Sequence, residues 1–195
     1  MKKIVFVLVF LTSLASISQN EDALTSEIGL DGSFYTSNLG GAFGIGAKYG
    51  WNINEYVIAG PSARFQRSWS QPLYTTTTAS ANIFGGGGFL HARFFNALFL
   101  GVELELLRSP YFNFGGYTNT SRWALTGFIG GGFSMEVNEK WRLNLGIMYD
   151  AINSQNSPLR TQYFMRNSLG QLLPVIYRVT FFFPLGREKD DTDME

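Results

Sequence analysis

Between Leu98 and Arg108 every second residue is apolar. Leu98, Leu100, Val102, Leu104 and Leu106 share one parity, while Phe99, Gly101, Glu103 and Glu105 share the other. Such a segment is extended, because only in a strand do successive side chains point to opposite faces. The period returns from Trp141, where Leu143, Leu145, Ile147 and Tyr149 alternate with Arg142, Asn144, Gly146, Met148 and Asp150. It returns again near the C-terminus, with Val175, Tyr177, Val179, Phe181 and Phe183 set against Arg178 and Thr180. Five further segments read the same way, at 26–36, 42–53, 56–68, 80–95 and 122–137. The pattern predicts eight strands, no convincing helix and no repeat larger than the hairpin unit.

The predicted connections alternate between short and long. Short turns fall at Asn52–Glu55, Phe95–Ala97 and Asn138–Lys140. Longer polar loops fall near 69–80, 109–121 and 151–173, with a shorter one at Ser37–Gly41. Their Asn, Gly and Ser suit turns, because these residues tolerate or stabilise turn backbone. Thr75–Thr78 is a low-complexity patch that reads as solvated loop.

The chain ends divide off from this pattern. Residues 1–18 place Lys2 and Lys3 before the apolar run Ile4–Leu11, and Ser16 and Ser18 before Gln19. That is the layout of a cleaved secretory signal peptide, and the run is short for a membrane helix. The reading assigns 19–186 to one barrel domain and 187–195 to a charged periplasmic tail, expected to be disordered.

Eight antiparallel strands fit either a soluble lipocalin-like barrel or a transmembrane barrel. Alternation does not choose between them, but the contents of the two faces do. One face carries Phe43, Ile45, Tyr49, Trp51, Phe65, Phe84, Leu90, Phe94, Trp123, Leu125, Ile129, Phe133 and Met135. An eight-stranded interior has little more room than its own filling side chains need, so these bulky groups would overfill it. The opposite face is rich in Gly and holds six basic residues, Lys48, Arg64, Arg93, Arg122, Arg142 and Arg178. Six acidic residues share it, Glu27, Asp31, Glu103, Glu105, Glu136 and Asp150. A narrow, self-neutralising interior fits that content. The apolar face then meets lipid, where a charge at mid-depth costs about 2–4 kcal/mol.

The fold expected is therefore an all-β, eight-stranded, antiparallel up-and-down transmembrane β-barrel. Only 15% of the residues are charged, which agrees. Aromatic girdles are expected from Trp51, Phe94, Trp141 and Phe183 near the short turns. Trp69, Trp123 and Tyr149 would supply the long-loop end. This places short turns and termini in the periplasm and long loops outside.

This pattern resembles the small eight-stranded outer-membrane barrels, the class that includes the OmpA transmembrane domain and OmpX. The resemblance covers about 26–184. Its last strand, Tyr177-Arg-Val-Thr-Phe-Phe-Phe183, is similar to the aromatic-ending signal read by the barrel-assembly machinery. The Gly-rich strands and the Gln after the cleavage site are similar to Bacteroidetes proteins of flavobacterial type. The resemblance implies export to the outer membrane of a Gram-negative bacterium. It also implies partners in outer-membrane lipid, lipopolysaccharide and the assembly machinery.

The search for chemistry finds little. A chain without Cys has no disulfide, no thiolate metal site and no Cys nucleophile. Its zero net charge argues against a nucleic-acid partner. The sole histidine, His91, lies on the inward face near a short turn and reads as part of the polar interior. Barrel enzymes of the lipid A deacylase type carry His-x-Ser, and Arg93 stands where that Ser would be. Glu103 and Glu105 lie roughly 6–7 Å apart along one strand and read as partners of inward Arg64, Arg93 or Arg178. Glu136 and Arg142 flank one turn and read as an ion pair. Gly85–Gly88 lacks the Lys-Ser/Thr of a phosphate loop and reads as close packing in the wall. No cofactor, metal or catalytic set is expected.

The long loops hold Tyr74, Tyr111, Phe112, Tyr117, Tyr163 and Phe164, candidate contacts for an envelope protein or glycan. The expected role is non-enzymatic: structure, adhesion or membership of an envelope complex, with an interior plugged by charge. An enzyme acting on envelope lipids and a narrow solute pore are the alternatives.

Overall fold

The computed structural model describes residues 26–37, 40–70, 79–109, 121–138 and 140–185. The proposed signal peptide and the charged tail lie outside the described residues. Eight strands follow one another: β1 Ser26–Ser37, β2 Gly40–Asn52, β3 Val57–Ser70, β4 Ala79–Phe94, β5 Leu98–Arg108, β6 Trp123–Asn138, β7 Trp141–Asp150 and β8 Val175–Leu185. Each pairs antiparallel with its sequence neighbour, and β1 closes on β8 from Ser26↔Leu185 to Gly32↔Val179. The result is a closed up-and-down barrel without a free sheet edge among these strands.

The two-residue period becomes the wall of the barrel. In β5 the odd-numbered residues Phe99 to Leu107 are buried and the even-numbered ones from Leu98 to Arg108 are exposed. Every strand presents a large apolar residue outward, as Leu30, Ile45, Phe65, Phe84, Leu104, Ile129, Ile147 and Phe181 show around the circumference. Leaving one such side chain in water rather than burying it costs about 1.5–3 kcal/mol. Strands of ten to sixteen residues meet or exceed the ~9–11 needed to cross a bilayer at a tilt.

Three short turns gather at one end. At Phe94–Ala97 the amide of Ala97 donates to Phe94 O, and Phe95 and Asn96 have φ of 54° and 51°. Positive φ at both central positions is the turn whose twist matches a hairpin. Phe95 pays the strain of the left-handed region to project from that tip, 91% exposed. The turn after β2 is held by Asn54, whose Oδ1 accepts from the Tyr56 and Val57 amides.

The opposite end differs from the expectation of a polar, helix-free loop at 151–173. A 3-10 helix spans Pro158–Gln162, with Pro at its start and the Ser157 hydroxyl accepting from Leu159 N. Leu159 is buried beneath it, so the segment folds into the barrel mouth rather than over solvent. Its sequence signal is too short to show a period, and the burial of Leu159 and Tyr163 exists only once the mouth is formed.

The interior also departs from a purely polar filling. Ile58, Phe89 and Phe182 form one buried apolar cluster. Ile83, Leu107, Phe128, Met148, Leu159, Tyr163 and Ile176 form a second, nearer the long loops. Leu159 and Tyr163 enter from the loop above, and the residues on strands share the inward parity of the charges. Their neighbours in sequence are apolar as well, as in Phe181-Phe182-Phe183, so the alternation of polarity that reveals a face is lost there.

Candidate functional site

A layer of ionised side chains lies between the two apolar clusters. Lys48 Nζ donates to both carboxylate oxygens of Asp31, at 3.1 and 2.9 Å, and to Glu103 Oε1 at 2.8 Å. Arg64 grips Glu105 with two bonds of 2.8 Å and reaches Asp31 at 3.4 Å. Arg178 Nη2 stands 2.9 Å from Glu103 Oε2. Thr180 donates to Asp31 at 2.6 Å. Three cations thus meet three carboxylates, and each of these six side chains is at most 6% exposed. Lys48 Nζ lies 5.6 Å from the Phe89 ring on one side of the layer, and Arg178 lies 5.3 Å from the Phe128 ring on the other. Charge buried this deeply is tolerated because almost every ion faces an opposite one, and attraction in a low dielectric offsets desolvation.

Cross-strand glycines make room for this filling. A Cβ on Gly101 would come within 2.7 Å of the His91 ring, and one on Gly29 within 2.8 Å of Phe182. Gly101 pairs with His91 in the β4–β5 ladder, and Gly29 pairs with Phe182 across the closing seam. Small therefore stands opposite large in each case.

His91 is 1% exposed. Its Nε2 lies 3.1 Å from Glu103 Oε1, and the rings of Phe89, Phe99 and Phe182 surround it at 5.1, 5.2 and 5.9 Å. No hydroxyl nucleophile figures among these neighbours. Among the described residues no group of His, Asp and Glu has the arrangement of a metal site.

The remaining candidate charges occupy the two ends. Glu27 and Arg93 form a two-bond pair of 2.8 and 2.7 Å toward the short turns, with Asn52 donating to Glu27 and Arg93 stacked 4.8 Å from Phe182. Glu136 and Arg142 pair at 2.9 Å on the short-turn rim, where Arg142 also donates to Asn96 and Ser134. Arg122 corrects the expected lumen set. It precedes β6 and its side chain is exposed at the long-loop rim, because strand alternation begins only at Trp123.

Asp150 is inward and buried, yet its partners among the described residues are neutral donors. Its Oδ1 accepts from the amides of Gly127, Ile152 and Asn153, and its Oδ2 accepts from the Tyr163 hydroxyl at 2.9 Å. This carboxylate ties the loop to the mouth. Gln162 adds a bond of 2.7 Å to the inward Gln66. Tyr163, expected as an exposed loop contact, is thereby corrected to a mouth-sealing residue only 7% exposed. Phe164 does remain exposed, with its ring against Tyr177. Tyr74, Tyr111, Phe112 and Tyr117 lie outside the described residues. The girdle candidates Trp51, Phe94, Trp123, Tyr149 and Phe183 all face outward and are exposed, and Trp69 and Trp141 are half-exposed.

Burial, then the charge of Asp150 and the bond to it, push the Tyr163 hydroxyl well above its ordinary pKa. The folded protein therefore holds that phenolic proton more tightly than the unfolded chain does. The stabilisation is complete below the ordinary tyrosine value of about 10 and declines as pH rises from there through the raised folded value. Loop closure over the mouth is expected to weaken only in that alkaline window. The phenolate absorbance of Tyr163, obtained as the difference between wild type and Tyr163→Phe, should lag behind that of the exposed tyrosines. A Tyr163 titration superimposed on theirs would contradict the seal.

The residues that sequence reasoning missed are the neutral supports Asn52, Asn96, Ser134 and Gln66 and most of the apolar clusters, whereas Thr180 and Met148 were already placed inward. Parity alone could have found Ile176 and Phe182, since both share the face fixed by Arg178.

No protein-family model matches the chain, and no curated protein matches it. Among solved structures the chain is similar to the outer membrane protein Ail of Yersinia pestis, determined in a phospholipid bilayer nanodisc. The identity is 11% and the TM-score 0.47, over 83% of this chain and 99% of that one. It is also similar to the NanC porin, at 14% identity and a TM-score of 0.38, over 85% of this chain and 74% of that one.

Proposed function

We propose that the protein is an integral outer-membrane barrel that catalyses no reaction and conducts no solute, and that acts through its long-loop end. The observation that carries this is the inversion of its two faces. Large apolar side chains cover the outside of all eight strands, while paired charges between apolar clusters fill the inside. Water-soluble barrels need the opposite arrangement, because their outside is hydrated. The Lys48–Glu103, Arg64–Glu105 and Arg178–Glu103 pairs that fill the lumen support a barrel closed to solutes. His91, sealed behind phenyl rings, offers no surface to a substrate.

In this reading lipid and lipopolysaccharide surround the belt, the short turns face the periplasm, and the barrel-assembly machinery inserts the chain. The role is structural, adhesive or that of a subunit in an envelope complex, with an envelope protein as partner. The purified protein in planar bilayers is expected to give no single-channel steps, and its membrane association should survive high salt. Reproducible open-channel currents would overturn the closed lumen, and release into the soluble fraction would overturn the membrane assignment. Cross-linking from the long loops in intact cells, followed by mass spectrometry, would identify a partner.

A further inference from the structure

The segment between β7 and β8 ends in a small hairpin. Phe164 N donates to Val175 O, Leu173 N donates to Met165 O, and Arg166 bridges to Leu172. Asn167 closes the tip, its Oδ1 accepting from the Leu169 and Gln171 amides at 3.0 and 2.9 Å. Gly170 supplies the left-handed turn with φ of +76°.

This hairpin is ordered by polar bonds, yet much of what it presents outward is apolar. Leu169 at the tip is 80% exposed, and Phe164, Met165 and Leu172 are also exposed. Residues two apart in a strand share a face, so Phe164 and Arg166 lie together, with Leu172 across from Arg166. The Phe164 ring meets Tyr177 edge to face at 6.2 Å. Tyr177 belongs to the outward parity of β8, and its hydroxyl donates to Phe34 O on the neighbouring strand of the closing seam. The hairpin thus lies against the outer wall, and its apolar face continues the belt of Phe181 and Tyr177 upward. Loop aromatics packed into the mouth, such as Tyr163, follow the other course. A contiguous apolar surface of this kind marks contact with another apolar phase. The continuity selects the phase that meets the belt.

We propose that this hairpin is a membrane-contacting extension of the barrel wall, its Phe164, Leu172 and Leu169 seated among the lipids of the adjoining leaflet. Arg166 shares this face, and its guanidinium is engaged within the hairpin, donating to Gly170 O at 2.7 Å. The inference rests on the outer-membrane reading and deepens it: one loop is anchored to lipid and is withheld from soluble partners.

The chain has no Cys, so a single introduced thiol reports one position. Leu169→Cys, Leu172→Cys, Leu100→Cys in the belt and the exposed Gln155→Cys are each labelled with nitrobenzoxadiazole. The labelled proteins are folded into vesicles of phosphatidylcholine and phosphatidylglycerol, with the heat-dependent gel shift confirming each barrel. Labels at 169 and 172 are expected to be several-fold brighter than at 155, to be quenched by brominated phosphatidylcholine, and to resist iodide. Labels at 169 and 172 quenched by iodide as at 155, while 100 remains in lipid, would overturn the hairpin proposal and leave the barrel reading standing. Iodide quenching at 100 as well would overturn both.

Discussion

Glu103→Ala is expected to destabilise the folded barrel by about 3–5 kcal/mol, the range for a buried ion deprived of its partner. Glu103 is the hub of the interior layer. It takes Lys48 at 2.8 Å and Arg178 at 2.9 Å, and His91 stands at 3.1 Å. Its loss leaves Lys48 and Arg178, the latter 3.9 Å from Asp31, sharing that one carboxylate, which Arg64 already contacts at 3.4 Å. Water cannot solvate them without opening the layer between the apolar clusters. The contrast is Glu136→Ala on the short-turn rim, whose carboxylate side chain is 41% exposed opposite Arg142. That pair is screened by solvent, so its loss should cost only about 0–1 kcal/mol. Urea titrations in vesicles, followed by the gel shift between folded and unfolded forms, give both values. Equal losses at the two positions would show that burial does not set the strength of these pairs.

Val102→Arg tests the outer face with a similarly large effect. Val102 lies at the middle of β5 on the outward parity, 49% exposed. Facing lipid, an arginine there should cost about 2–4 kcal/mol, and the same substitution at Leu98, beside the short turn, about 0–1 kcal/mol. Facing water, neither would cost more than about 0.5 kcal/mol, the usual scatter of surface substitutions. The gradient between the two positions is therefore the diagnostic quantity, measured by the same titration. A flat response would remove the membrane from the account of this belt.

The two faces are unequal as sources of evidence. The belt was legible residue by residue, because exposed apolar side chains at Leu100, Ile129 or Ile147 need no partner to reveal their direction. The charges were legible as a set, since parity put Asp31, Lys48, Arg64, Glu103, Glu105 and Arg178 on one side of the wall. Of the pairings, only Glu136 with Arg142, which flank one turn, was legible; in the central layer, which cation meets which carboxylate was not. Arg64 and Glu105 sit on β3 and β5, which are not adjacent, and their bidentate pair forms across the lumen. Arg178 reaches Glu103 in the same way from β8. Such contacts depend on barrel diameter and strand tilt, which no local spacing encodes. Arg122 was misplaced for a related reason, since alternation extrapolated one residue past the strand end puts a rim side chain in the lumen.

The mouth shows the same division. Tyr163 and Phe164 are adjacent aromatics in one loop, and nothing in their immediate sequence separates them. Folding sends Tyr163 inward to Asp150 and leaves Phe164 outward on Tyr177. Extended backbone turns consecutive side chains to opposite sides, but only the closed barrel determines what each side meets.

By itself, then, the sequence determined the period, the number of strands, the alternation of turns with loops, and the opposition of an apolar face to a charged one. Each is carried by residues close together in the chain, where the geometry of a strand acts directly. The tertiary structure alone decided the layering of the interior, the pairing of its ions and the sealing of the mouth. Those outcomes arise where strands distant in sequence are brought within a few ångströms. There, volume must be filled and charge neutralised across a closed space.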